Sequence, residues 1–208
     1  MDILLFVGSI LTVHILAVMS PGPDFVVAVN NSLLYSRKTG IWTSLGFGLG
    51  ILVHIFYCIA GLAVIISKSV ILFNIIKFFG AAYIFYLGLM SIISKRTKID
   101  VNKEKRTKDI SILKAIKIGF LTNVLNPKAT LYFLGIFTIA ISPDTKPWVL
   151  FTIVLGMFII TVVWFSLVSV FFTQKMILEL FSKYQTWFMI SLGIILILLS
   201  FKVFTMLV

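Results

Sequence analysis

Negative charge is what this chain has least of, and its placement is informative. The 208 residues include 7 Asp and Glu against 18 Lys and Arg, and every acid but Asp24 lies at the edge of an apolar stretch or in a polar connection. Charged residues of both signs make up 12% of the chain, hydrophobic residues 60%, and mean hydropathy is +1.13. Such a composition cannot clothe a soluble core in polar surface, so it excludes a soluble domain and leaves an integral membrane protein. Cysteine is nearly absent. Cys58 stands alone inside an apolar stretch, which excludes an intrachain disulfide and a thiolate metal cluster. With His14 and His54 as the two histidines, no metal site and no cofactor are expected. Residues 1–7 lack the basic start of a secretory signal, and no small-residue cleavage site precedes Pro21, so the first segment is expected to stay in the mature protein.

What is there is apolar length. A helix needs roughly 20 apolar residues to cross the hydrocarbon, and Ile3 to Tyr35, Ile41 to Ile66, Ser69 to Ser94, Ile118 to Ile141, Trp148 to Phe172 and Thr186 to Val208 each supply about that or more. The reading is an all-α integral membrane protein with six transmembrane helices in a single transmembrane domain, 1–208. A first three-helix half covers 1–94, a basic loop 95–117 and a second three-helix half 118–208. On one side the connections carry 13 basic residues, from Arg37 and Lys38 through the loop to Lys175 and Lys183; the other side has Lys68 and Lys146. That bias predicts both termini outside the cytoplasm and the loop within it. Lys77 and Lys202 lie near outer segment ends and can snorkel to the interface. Trp42, Trp148 and Trp187 read as interfacial anchors. The net charge of +11 then reflects topology and contact with anionic membrane lipid. Nucleic acid is not an expected partner, because the loop has no aromatic residues to stack on bases.

Proline is the other scarce residue, with 5 in the chain. Pro143 and Pro147 occupy a polar connection. The other three interrupt apolar stretches, in Ser20-Pro21-Gly22-Pro23-Asp24 and Asn126-Pro127-Lys128. Ile3 to Tyr35 would run about 50 Å as one helix, against roughly 30 Å of hydrocarbon. A proline removes a backbone donor and clashes one turn back, so each helix should stop and restart, with Ser20 and Asn126 suited to cap the new helix and Pro21 and Pro127 in its first position. Restarted helices point unsatisfied N–H groups and positive dipole ends into the protein, where an anionic group finds a site. A packing kink is the plainer alternative. Two breaks, each beside a buried ionisable residue, favour a binding site near the midplane. Three crossings per half also make the halves inverted repeats if they are related.

Ser20-Pro21-Gly22-Pro23-Asp24-Phe25 followed by Gly40, Gly46, Gly50, His54 and Gly61, and later Gly119-Phe120-Leu121-Thr122-Asn123 leading into Asn126-Pro127-Lys128, resembles the LysE/RhtB family of bacterial amino-acid exporters across essentially the whole chain. The resemblance implies secondary export of amino acids or close derivatives across the bacterial inner membrane, driven by the proton gradient, without implying which amino acid.

Gly46, Gly50 and His54 recur at i+4 on one helix face, where glycines permit close approach and His54 enters the interface as packing partner or proton carrier. Thr122, Asn126 and Thr130 form a polar stripe. Trp164 is deep, so its indole N–H needs a partner and the ring is a candidate for lining the substrate path, whereas His14 reads as packing. A substrate-binding or coupling site is thus expected from Ser20, Pro21, Gly22, Pro23, Asp24, His54, Asn123, Asn126, Pro127, Lys128 and Trp164. Asp24 would attract a substrate ammonium or exchange a proton for it, and Lys128 with the restarted helix ends would hold the carboxylate. The expected partners are an amino acid, protons and lipid, and the sequence allows a homodimer. The alternatives are an intramembrane enzyme with Asp24 and His54 as acid and base, and a passive small-molecule channel.

Overall fold

Helix is the only structure that keeps every backbone group of a spanning segment bonded within that segment, and in the computed structural model the described residues, 3–68, 70–93, 107–140 and 145–205, form eight helices and no strand. They are α1 (Ile3–Met19), α2 (Pro23–Leu34), α3 (Arg37–Lys68), α4 (Val70–Ile93), α5 (Ile112–Val124), α6 (Pro127–Ala140), α7 (Pro147–Phe171) and α8 (Lys175–Thr205). Most of the basic loop and the side chains of Lys77 and Lys202 lie outside the described residues.

Three stretches are long and apolar enough to cross a membrane alone: Arg37–Gly61, Pro147–Phe171 and Met176–Leu198. The bent pair α1 and α2, meeting at 57°, qualifies as a fourth. Phe78–Ile93 of α4 is a shorter apolar helix. α5 and α6 are each shorter than a span, with 13 and 14 residues, and include Lys114, Lys117 and Lys128. Six crossings therefore exceed what length and composition establish among the described residues.

Two boundaries differ from expectation. α8 begins at Lys175, not near Thr186, because Lys175, Glu179, Ser182, Lys183 and Gln185 lower the hydropathy of its first turns without breaking the helix. Trp187 therefore lies well inside α8, exposed on its outer face, and not at a segment end. The first restart also falls two residues late. Ser20 does not cap; Gly22 is the N-cap, with φ −156° and ψ −168°, and Pro23 is the first helical residue. The reason is steric: a residue before proline is driven out of the α region, so Pro23 holds Gly22 extended and the helix cannot begin at Pro21.

Two apolar clusters hold the bundle. One joins α1, α3, α4, α6, α7 and α8 around Ile10, Ile51, Ile84, Phe137, Ile153 and Leu196. The other joins α2, α3, α7 and α8 around Phe25, Phe47, Phe165 and Leu178. α3 and α5 touch backbone to backbone, since a Cβ on Gly46 would fall against the Ile116 carbonyl and one on Gly119 against the Thr43 carbonyl. That close approach carries the Gly50 and His54 face of α3 onto Asn123.

Candidate functional site

The two breaks come together between the clusters. Asp24 is the second residue of α2 and Lys128 the second residue of α6, each directly after the proline that opens its helix. The matching units are therefore Gly22-Pro23-Asp24 and Asn126-Pro127-Lys128, an acid and a base at the same helical position.

Each charge is satisfied by the other break. Asp24 is 9% exposed. Its Oδ2 accepts from Asn123 Nδ2 at 2.7 Å and its Oδ1 from Asn126 Nδ2 at 3.3 Å. The carboxylate also lies at the positive end of α2, where negative charge is favoured. Lys128, at the positive end of α6, reaches across to the end of α1, and its Nζ donates to the Ser20 carbonyl at 2.9 Å. That carbonyl follows the last turn of α1, where helix acceptors lack intrahelical donors and the dipole end is negative.

Asn126 serves both purposes. Its Oδ1 accepts from the Lys128 backbone N–H at 3.0 Å, capping α6, while its amide holds Asp24. Asn123 is a second junction. Its carbonyl, left over as α5 ends, accepts from the Asn126 N–H at 2.9 Å and from His54 Nε2 at 3.0 Å. A carbonyl only accepts, so His54 carries its proton on Nε2 and its Nδ1 accepts from the Tyr57 hydroxyl at 2.6 Å. The His54 ring also stacks on Phe133, 6° from parallel with centroids 5.5 Å apart. Asn123 Oδ1 is buried without a partner among the described residues.

Asp24, Asn123, Asn126, Lys128, Ser20 and Gly22 line one cavity of about 50 Å³, room for a few water molecules. His14, Tyr132 and Thr161 line it as well. His14 is fully buried; Met157 O at 3.2 Å and Thr161 Oγ1 at 2.9 Å accept from its Nε2, and the Tyr132 hydroxyl at 3.2 Å donates to Nδ1. Packing against the cluster is thus only part of what His14 does. The signal was available, since an ionisable residue inside a span is costly wherever it occurs, but Tyr132 and Thr161 are brought to it by folding.

Of the expected site residues, Pro21 and Pro127 line a neighbouring chamber together with Ser20 and Lys128. Pro23 opens α2, and His54, which lines neither space, meets the site through its bond to the Asn123 carbonyl. Trp164 stands apart. It packs against the Phe25 and Phe165 cluster, lines neither space and has a buried indole N–H without a partner among the described residues. Among the described residues no group of three or more His, Cys, Asp or Glu is placed to hold a metal ion.

The model of the LysE type translocator family matches residues 15–207. Among curated proteins, the chain is 37% identical over 125 residues to the uncharacterized membrane protein YrhP of Bacillus subtilis, covering 57% of this chain and 60% of that protein. It is 28% identical over 191 residues to the threonine efflux protein of Escherichia coli K12, covering 86% of this chain and 87% of that protein. The threonine efflux protein of Salmonella typhimurium is 29% identical over 187 residues, with the same shares covered. No solved structure matches the chain.

Proposed function

We propose that this chain, which belongs to the LysE type translocator family, exports amino acids or close derivatives from the bacterial cytoplasm in exchange for protons. Membership makes it a transporter and not an enzyme working through Asp24 and His54. One observation carries the substrate class: an acid and a base occupy the same position of two restarted helices and line one cavity. A zwitterion has one end for each. Its ammonium replaces the amide donors at Asp24, and its carboxylate takes the donors of the Lys128 Nζ that Ser20 does not use.

The unpartnered Asn123 Oδ1 suggests how a proton exchanges with substrate. An ionised Asp24 needs the Asn123 amide nitrogen; a protonated one becomes a donor, and the same side chain rotated about its last bond presents the oxygen that can accept. Proton and ammonium then compete for one carboxylate, which is the requirement for antiport.

The transporter is read as six spans, with α1–α2 and α5–α6 as broken spans one and four. Together α5 and α6 cover about 40 Å, enough for a crossing. An inverted repeat is supported by the exchange of neighbours: α3 packs on α5 and α6, and α7 packs on α1 and α2. The charge bias of the connections supports a reading with both termini outside the cytoplasm and the chain in the inner membrane.

Purified protein in proteoliposomes loaded with mixed amino acids tests the reading. Efflux should saturate, accelerate with a proton gradient directed against it and lose that acceleration with a protonophore. Efflux that neither saturates nor responds to the protonophore would indicate a passive channel and end the exchange proposal.

A further inference from the structure

Lys128 borders two spaces. On one side is the 50 Å³ cavity with Asp24; on the other is a chamber of about 390 Å³ between α4, α6 and α8, and both have Ser20 and Lys128 in their walls. The chamber is lined chiefly by Tyr83, Tyr86, Leu87 and Met90 of α4, Leu131 of α6 and Met189 of α8. Its polar edge is Lys128, Ser20 and Ser91, whose hydroxyls face each other at 3.2 Å.

The two spaces differ in what they can hold. The inner one, at about 50 Å³ against about 390 Å³, is much the smaller, with room for a few waters or an ammonium group. The outer one is within the roughly 300–1,000 Å³ of small-molecule pockets, and like them it is mostly apolar with a few convergent polar groups. The Lys128 ammonium at its edge gives one hydrogen bond to the Ser20 carbonyl and leaves its remaining donor capacity to be answered from the chamber. The carboxylate of a bound amino acid answers it and leaves the side chain beside the ring and thioether walls.

Resting on the exporter reading, we infer that the α4 chamber is the substrate's side-chain pocket and that it selects large apolar side chains. An amino acid straddling the Ser20–Lys128 partition puts its ammonium toward Asp24, its carboxylate on Lys128 and an isobutyl, thioether or phenyl group between Tyr83, Tyr86, Met90 and Leu131. Thioether and aromatic walls suit such groups, whereas a threonine hydroxyl would lie against mostly apolar surface and lose its partners.

The test is a ratio. Proteoliposomes are loaded with equal leucine, phenylalanine and alanine, and the leucine-to-alanine and phenylalanine-to-alanine efflux ratios are compared among the parent, Met90→Trp, Leu131→Trp and Tyr86→Ala. These three positions are 38%, 45% and 48% exposed, so the changes act on the chamber and not on a packed core. The parent should favour leucine. Each tryptophan should lower the ratio by about tenfold or more, the scale on which a hydrophobic pocket discriminates by size, and Tyr86→Ala should raise it for phenylalanine over alanine. If a tryptophan variant fails to fold, the enlarged Tyr86→Ala pocket still decides. A parent that moves no amino acid overturns the exporter reading itself. A parent that transports while all three ratios stay put overturns only the pocket assignment. So does a tryptophan that strips an anionic lipid from the purified protein without moving the ratio, since that result makes the chamber a lipid site.

Discussion

Asp24 is held by two amides from the far break, and this arrangement determines what removing its charge should do. Asp24→Asn keeps the shape, and the unpartnered Asn123 Oδ1 can turn to accept from the new amide, so the fold should survive. Without a titratable carboxyl, gradient-driven efflux should be lost, while exchange of labelled for unlabelled substrate persists because it needs binding and no net proton movement. Paired measurements of gradient-driven efflux and counterflow, with melting in detergent as the control for folding, check this. Full gradient-driven efflux by Asp24→Asn would remove Asp24 from coupling. Lys128 and His54 are held in the opposite sense, as donors: each gives a hydrogen bond to a backbone carbonyl at or just beyond a helix C-terminus, Ser20 after α1 and Asn123 in α5. The broken helices hold ionisable side chains with the acceptors that the breaks leave free.

At the scale of the element, the α3–α5 contact sets the position of Asn123. A β-branched residue at Gly119 would drive into the Thr43 carbonyl, and two helical backbones have no flexible side chain there to give way. Gly119→Val should cost about 1–3 kcal/mol, the usual range for overpacking, and should loosen the His54–Asn123 bond along with the helix pair. Gly22 is the contrasting case. Its backbone is extended, a conformation any residue adopts, and an added Cβ would stand 3.5 Å from Lys128 Cδ, an ordinary contact. Detergent melting curves should place Gly22→Ala with the parent and Gly119→Val clearly below both; equal melting of the two variants would refute the account of the α3–α5 interface.

For the whole molecule, the testable quantity is the side of the membrane on which each end lies. Single cysteines introduced near Ile3 and Thr205 in a Cys58→Ser background should react with an impermeant thiol reagent in intact cells. Cysteines between Lys95 and Lys117 should react only after the cells are opened. A terminus that labels only in opened cells contradicts the six-span arrangement. The Asp109 carboxylate accepts from Ser36 at 2.9 Å and Thr39 at 3.1 Å and so ties the chain leading into α5 to the start of α3; the proposed arrangement would put this tie on the cytoplasmic face.

The sequence by itself determined the membrane class, because composition cannot be hidden, and it located both breaks, because proline acts on its own backbone and its immediate neighbours. It also singled out Asp24 and Lys128, since an isolated charge in a span stands out without any knowledge of neighbours. The restart at Pro23 was legible in principle from the rule on residues before proline, and only competition from Ser20 as a better cap obscured it. The start of α8 was not legible from hydropathy, because polar residues at its first turns lower the apolar signal but are compatible with helix. What only the tertiary structure decided is pairing across 99 to 147 residues: Asn123 and Asn126 on Asp24, the Ser20 carbonyl on Lys128, and His14 joined to Tyr132 and Thr161. These contacts depend on which faces of α1, α2, α5, α6 and α7 meet. That is settled by close packing at glycines and by the filling of two apolar clusters, and neither leaves a local mark beside the residues it brings together.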